Sequence, residues 1–369
     1  MKPVRFLHIA DMHLGALQHP DVYRNYMLPK LADLAKERDV TDILIAGDIF
    51  DKPEPEQYVK DCLLNHVVQN EHINYTFVAG DHDYTTKRQN SYLSLHYLQI
   101  LQFILPNVTV CEPGTYTRLN SDFGLVVLPG SAKRNNSGKD IHTLKCDKFS
   151  IKKGEALVLS WHGIFPGLTY SGEMSKQAKV HATELLDNWN AQYIALGDIH
   201  RPITILNNCR YPGSLVQKTY KCQDGLLLVD IDSNGKVTAE PLQLDLPKKE
   251  TVIVEFEQED FDSEKNLETE VINLVTATVS KGNLVKIKFE LPASIWSSLD
   301  LSRMQRRLLR DYAEVKFEND LVPEEKSDER MNRVREAKTV EEELEIIIKE
   351  DESDLDKKRL RETCLKHLH

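Results

Sequence analysis

Aspartate and histidine recur together where apolar runs of this chain end. Asp11-Met-His13 follows VRFLHIA, and Gly47-Asp48-Ile-Phe-Asp51 follows TDILIA. Gly80-Asp81-His82-Asp83 follows INYTFVA, His162 sits in SWHG, and Asp198-Ile-His200 follows YIALG. Each piece alone has a plain reading. An Asp after a strand often caps the next helix, a lone histidine on an apolar face is usually a satisfied core residue, and Asp-x-His arises by chance. Five strand ends that each deliver carboxylate, imidazole or both are hard to explain as capping. In α/β sheets, loops at the carboxyl ends of strands converge on the ligand site. The glycines before Asp48, Asp81 and Asp198 suit backbone that must turn sharply beside a crowded centre.

The set offers four Asp (Asp11, Asp48, Asp81, Asp198), three His (His13, His162, His200) and no Cys. Seven ligands exceed one tetrahedral zinc. They suit two divalent ions that share a bridging carboxylate. Two such ions about 3.5–4 Å apart clamp the attacking and leaving oxygens of a phosphoryl transfer and activate water near neutral pH.

In this order the residues resemble the DxH, GDxxD, GNHD, GH, GHxH signature of the calcineurin-like metallophosphoesterases. Within that superfamily HIADMHLG, GDIFDKPEP, YIALGDIHRP and YPGSLVQ are similar to the SbcD branch, the nuclease subunits of SbcCD DNA-repair complexes. The resemblance covers about residues 1–230. It implies that Asp11, His13, Asp48 and His200 hold a first metal, that Asp48 bridges, and that Asp81, His162 and Asp198 complete a second. His82 would lie beside the scissile phosphate, to stabilise charge or protonate the leaving oxygen. Asp51 would pair with His82 and keep it cationic. The implied ions are manganese, with magnesium as the alternative. The implied partners are a coiled-coil ATPase of the SbcC type, DNA ends and a second copy of the chain.

Two positions depart from the pattern. Position 81 is Asp where the signature has Asn, and position 198 is Asp where the nuclease branch mostly has His. The second site then has three carboxylates and one imidazole, which shifts preference toward Mn²⁺ or Mg²⁺ and away from Zn²⁺. Four carboxylates cancel the charge of two divalent ions. A neutral centre attracts phosphate less, so activity should be weaker than in Asp81→Asn, or more strictly manganese-dependent.

The elements that must position these residues alternate in kind. Strand-like runs at 4–11, 41–48 and 73–81 alternate with helical spacing at 21–38, 58–69 and 93–104, which implies parallel pairing of buried strands. Further strands at 123–130, 155–163, 191–198 and 225–232 enlarge the sheet system. The fold class is α/β (α+β), a two-sheet metallophosphoesterase sandwich flanked by helices. A domain over 1–245 precedes a small β-α-β-α domain over 246–322, which fits the branch's capping domain. Residues 323–369 hold no Phe, Tyr or Trp and carry helix-start signals at Thr339 and Ser353. They read as charged C-terminal helices, either solvated or docking on a partner.

At 369 residues the chain suits about two domains. No apolar run approaches the length of a membrane span, and the N-terminus reaches an acidic residue too soon for a signal peptide. Six scattered cysteines without a CxxC pair point to a reduced, cytoplasmic protein of a bacterium or of a phage in its host. A net charge of −11 argues against autonomous DNA binding across the whole surface. Local basic candidates are Arg303, Arg306, Arg307 and Arg310 on one helix face, and Lys133, Arg134 and Lys139 in LPGSAKRNNSGK, each equally readable as a solvated surface. Tyr170 could stack on a base. The leading reading is a manganese-dependent DNA exo/endonuclease subunit acting at ends and hairpins. A catalytically weakened clamp subunit of the same complex, or a phosphatase or small-molecule phosphodiesterase on the same scaffold, are the alternatives.

Overall fold

A computed structural model describes residues 1–16, 22–83, 93–119, 123–129, 148–169, 173–215, 225–254, 267–291 and 293–320. The chain divides into two units, Met1–Lys249 and Glu250–His369.

The first unit is built on two six-stranded sheets. One comprises β1 (Val4–Ile9), β2 (Asp42–Ala46), β3 (Asn74–Val78), β4 (Val108–Cys111), β11 (Leu226–Ile231) and β12 (Val237–Leu242), in the order β12-β11-β1-β2-β3-β4. The other comprises β5 (Tyr116–Leu119), β6 (Phe123–Val127), β7 (Ala156–His162), β8 (Tyr193–Gly197), β9 (Ile203–Leu206) and β10 (Cys209–Tyr211), in the order β5-β6-β7-β8-β10-β9. Strands β1 to β4 pair in parallel, as do β6, β7 and β8. All their carboxyl ends therefore lie along one side of each sheet. Phe6, Ala10, Leu44, Ala46 and Val78 of the first sheet share one core with Leu125, Val127, Val158, Tyr193 and Ala195 of the second. The alternate residues Leu7, Ile9, Ile43 and Ile45 are buried too, so the first sheet is covered on both faces, as parallel sheets are.

Helices α1 (Leu28–Glu37), α2 (Gln57–Gln69), α3 (Leu93–Ile104) and α4 (Lys176–Trp189) fall between strands. On α4 the residues Ala178, Ala182, Leu185, Leu186 and Trp189 recur at helical spacing and pack on Leu157, Leu159, Trp161, Ile194 and Leu196. The sequence reads 21–38 as one helix. The structure instead has a π-helical turn at Val22–Met27 before α1. Pro29 lacks the N–H that would continue an α-ladder back to residue 25.

The second unit holds the sheet β13 (Lys249–Val254), β14 (Leu284–Phe289) and β15 (Glu314–Asn319), with helices α5 (Leu267–Thr278), α6 (Ala293–Ser298) and α7 (Leu301–Leu308). Val252, Val271, Val275, Ile287, Phe289, Met304 and Leu308 form its core. The expected β-α-β-α order is extended by β15, which pairs in parallel with β14. Helix α7 ends at Leu308. Buried Tyr312 donates its hydroxyl to the Val275 and Val279 carbonyls, and Val315 and Phe317 then alternate with Lys316 and Glu318 at strand spacing.

Candidate metal centre

The loops after β1 and β2 run side by side. The Asp11 N–H donates to the Gly47 carbonyl, His13 N–H to Asp48, Leu14 N–H to Ile49, and Asp51 N–H returns to Leu14, all at 2.9–3.0 Å. This short zipper brings Asp11, His13, Asp48 and Asp51 to one place. Asp11, His13 and Asp48 all take positive φ (52°, 44° and 51°), as does Asp198 at 97°. Backbone in these sparsely populated regions costs of order 1–3 kcal/mol per residue and persists only where the surroundings enforce it.

Three further contacts tie the second sheet to this zipper. The Asp198 N–H donates to both carboxylate oxygens of Asp11, at 3.1 and 3.2 Å. His162 Nδ1 donates to the Ala46 carbonyl at 2.8 Å. Ser214 Oγ donates to the Asp11 carbonyl at 2.8 Å. The close fit explains the glycines. A Cβ on Gly47 would lie 1.9 Å from His162 Nδ1, and one on Gly197 would lie 1.9 Å from the Ala46 oxygen.

Among the described residues four overlapping groups of possible ligands result. Two are built around His82, one with His13 and Asp51 and one with Asp48 and Asp81, and the other two are made only of the expected ligands. Ligand atoms of Asp11, His13, Asp48 and His200 lie within 4.8 Å of one another, as do those of Asp81, His162 and Asp198. Asp48 faces both, with Oδ2 3.5 Å from His13 Nε2 and Oδ1 3.3 Å from His162 Nε2. A carbonyl only accepts, so His162 Nδ1 carries the proton and Nε2 is left toward the carboxylates. His13 Nδ1 faces Asp51 Oδ1 at 3.3 Å, which likewise leaves its Nε2 for the centre. That nitrogen lies 3.0 Å from His200 Nε2, close enough that the two must share a proton or a cation. Such fixing of the far ring nitrogen by carboxylate or carbonyl is the usual support of metal-ligating histidine.

Charge agrees with the geometry. Burial, and then the carboxylates of Asp48 and Asp198, push Asp11 well above the usual carboxylate range, although His162 opposes them. Burial also raises Asp198, with Asp81 and Asp48 adding to it. Asp48 is pushed up by burial too, yet His162, His13 and His82 more than reverse this and hold it low. Carboxylates so crowded are fully ionised only beside cations, and oxygen and imidazole donors in this number fit two divalent ions.

The sequence pairs Asp51 with the His82 ring, and the structure places His13, Asp51 and His82 in one group. His82 Nδ1 donates to the Asp51 main-chain carbonyl at 2.7 Å, while the Asp51 carboxylate turns to His13. The zipper carries the Asp51 backbone past His82 and its side chain inward. The His82 N–H donates to Asp48 Oδ1 at 2.9 Å. Two residues had no role from sequence. Asp83 is buried and accepts the N–H groups of Gly80, Phe50 and Ile49, stapling this loop to that of Asp48. Ser214, in the YPGSLVQ stretch, locks the Asp11 backbone. Burial and neighbouring Asp48 push Asp83 up to about 7 against its three backbone donors. A signal existed for Asp83, since it closes the Gly-Asp-His-Asp cluster.

Arg303, Arg306 and Arg307 on α7, with Arg310 just beyond, are all exposed, while Met304 and Leu308 turn to the core. Lys133, Arg134, Lys139, Tyr170 and the charged tail over 323–369 lie outside the described residues.

The profile of the calcineurin-like phosphoesterases matches residues 4–202, more than half of the chain, and those residues contain every member of both clusters. The chain belongs to that family. Such a phosphoesterase carries divalent metal ions, and the residues of the two clusters are the candidate donors. Among curated relatives, the DNA double-strand break repair protein Mre11 of Aeropyrum pernix is 28% identical over 258 residues, 66% of this chain and 58% of its own. Mre11 of Archaeoglobus fulgidus is 30% identical over 107 residues, 27% of this chain and 24% of its own. The chain thus spans less than two thirds of either relative. A solved structure, TT1561 of Thermus thermophilus, is 12% identical, with a TM-score of 0.42 over 64% of this chain and 97% of its own. That likeness is too slight to bear on function. Among the described residues no helix is long and apolar enough to cross a membrane.

Proposed function

We propose that this phosphoesterase is the manganese-dependent nuclease subunit of an SbcCD-like repair complex, hydrolysing phosphodiesters at DNA ends and hairpins. The observation that supports it most is the double cluster sharing Asp48, with His82 held at its edge. Asp11, His13, Asp48 and His200 would hold one ion, and Asp48, Asp81, His162 and Asp198 the other. Two divalent ions there would activate water and neutralise the phosphate. His82, its Nδ1 proton committed to the Asp51 carbonyl, would present Nε2 to the leaving oxygen. DNA as substrate rests on the Mre11 relatives, which are named for double-strand break repair. Magnesium is the alternative ion. The partner in this proposal is a coiled-coil ATPase of the SbcC type, docked by the tail from residue 323, and the subunit pairs with a second copy in the cytoplasm. The unit after Lys249 would serve as the capping domain and touch DNA backbone through Arg303, Arg306, Arg307 and Arg310, joined by Lys133 and Arg134 from the first unit.

A second reading has its own support. Asp81 and Asp198, the two carboxylates where the signature has neutral donors, fall in one cluster. Their added charge would weaken phosphate attraction and leave a clamp subunit with blunted catalysis. The deciding assay is cleavage of linear and hairpin DNA in Mn²⁺, comparing the chain with Asp81→Asn, each with and without the ATPase. Cutting by both forms supports the nuclease. Cutting by Asp81→Asn alone supports the clamp. Turnover of p-nitrophenyl phosphate without DNA cleavage would replace both with a phosphatase.

A further inference from the structure

The two clusters differ in donor chemistry. Asp11, His13, Asp48 and His200 offer two carboxylates and two imidazoles; the first three are sealed from solvent and His200 is part-buried. Asp81, Asp198 and His162, with Oδ1 of shared Asp48, offer three carboxylates and one imidazole. There Asp81 and Asp198 are only part-buried. Asp81 and Asp198 lie 117 positions apart in the chain, yet they meet on the same side of Asp48, so their charge is not spread over the centre but concentrated in one half.

Ligand type then acts differently on the two halves. Imidazole suits zinc and other late transition ions, whereas carboxylate suits magnesium, calcium and manganese. The ring nitrogens His13 Nε2 and His200 Nε2 of the first half converge. His13 is held through Nδ1 by Asp51, and His200 Nε2 stands 3.0 Å from His13 Nε2. Zinc accepts such a tight set of two imidazole nitrogens and two carboxylate oxygens. In the second half the one imidazole, His162, sits 3.3 Å from Asp48 Oδ1 and 3.7 Å from Asp81 Oδ1, so oxygen outnumbers nitrogen around it. Hard cations tolerate that set and its partial exposure to water.

Resting on the phosphoesterase reading, we infer that the halves load unlike ions: a tightly held, late transition ion between His13 and His200, and an exchangeable hard ion between Asp81 and Asp198. The centre is then mixed wherever zinc is scarce and manganese plentiful. Asp81 and Asp198 are the residues that set the preference, and exchange at their half tunes the enzyme without emptying the half of His13 and His200.

The test reads bound metal, not turnover. Metal-free full-length chain is equilibrated with excess Mn²⁺ while free Zn²⁺ is raised through a chelator buffer. Bound zinc and manganese are counted by mass spectrometry, and electron paramagnetic resonance reports whether two manganese ions are neighbours. The expected result is two zinc transitions separated by about 10- to 100-fold in free zinc, the span by which altering a metal's protein surroundings changes affinity. A plateau at one zinc and one isolated manganese per chain lies between them. The Asp81→Asn/Asp198→His form should draw the second transition toward the first. One transition taking both ions together in the unaltered chain, or an unmoved second transition in the variant, overturns the inference and leaves the phosphoesterase reading intact. Fewer than two ions bound under any condition would instead remove the two-ion reading itself.

Discussion

Asp51 holds two histidine rings through two different atoms. Its main-chain carbonyl accepts the His82 Nδ1 proton at 2.7 Å, and its carboxylate lies 3.3 Å from His13 Nδ1. Truncating the side chain therefore spares the first contact and removes the second. Asp51→Ala should lower the affinity of the first half for Mn²⁺ by about 10- to 100-fold, as loss of a supporting carboxylate does elsewhere. The rate at saturating metal should fall far less, because His82 keeps its support. Calorimetric titration of the metal, set beside rates at saturating Mn²⁺, checks this. An unchanged affinity with a collapsed rate would restore the expected Asp51–His82 side-chain pair.

At the scale of elements, the centre depends on how closely the ends of β2, β7 and β8 approach. Gly47 has φ 97° and leaves no room for a Cβ, since His162 Nδ1 would lie 1.9 Å away. Gly47→Ala must push His162 off the Ala46 carbonyl or shift β2. Either adds strain in a well-packed region, so the expected loss is about 3 kcal/mol or more. In a domain of this size that lowers Tm by roughly 6–12 °C, which a thermal melt reads directly. Helix α7 makes a separate case. Asp300 caps it by accepting the Arg303 N–H at 2.8 Å, and Met304 and Leu308 anchor it, so its arginine side chains are not needed to hold it. Arg303→Glu/Arg307→Glu should fold normally. If these side chains contact DNA backbone, binding weakens for all sequences and the salt slope falls by about two units. An unchanged slope, from binding at several salt concentrations, would return the helix to a plain solvated face.

For the molecule as a whole, buried neutral histidines set a limit on the acid side. Burial lowers His66 to about 4, where it contacts the Tyr75 hydroxyl at 2.9 Å and lies next to Asn70. Burial also lowers His8, beside the Tyr193 hydroxyl, to about 3. An unfolded chain takes up these protons near pH 6.5. Between that value and the folded one the unfolded state binds more protons, so stability falls as pH drops from 6.5 to 4. His66 alone accounts for about 3 kcal/mol across that window. Denaturant melts of metal-free protein at pH 7, 5.5 and 4.5 should show the decline, and His66→Gln should flatten it. Equal slopes in the two forms would mean that His66 is protonated in the folded state.

Much of this was legible in the chain because the signals are local. Apolar runs that end in Gly-Asp or Asp-x-His mark a strand and the ligand after it, since strand burial and sharp turns act on neighbouring residues. The seven candidate donors, the parallel sheets and the helices α1 to α3 follow from such runs, whereas α4 is not among the helices read from the sequence. Elements without a strong local period were not legible: β9, β10 and β12 are short or polar, and β15 exists because β14 offers it a paired edge. Which donors share a cluster, and which atom of Asp51 meets which histidine, depends on the zipper between the loops after β1 and β2 and on how far His162 reaches toward Ala46. Residue types fix which chemistry is available. Hydrogen bonds between segments distant in the chain decide which atoms face each other, and no spacing along the chain encodes that choice.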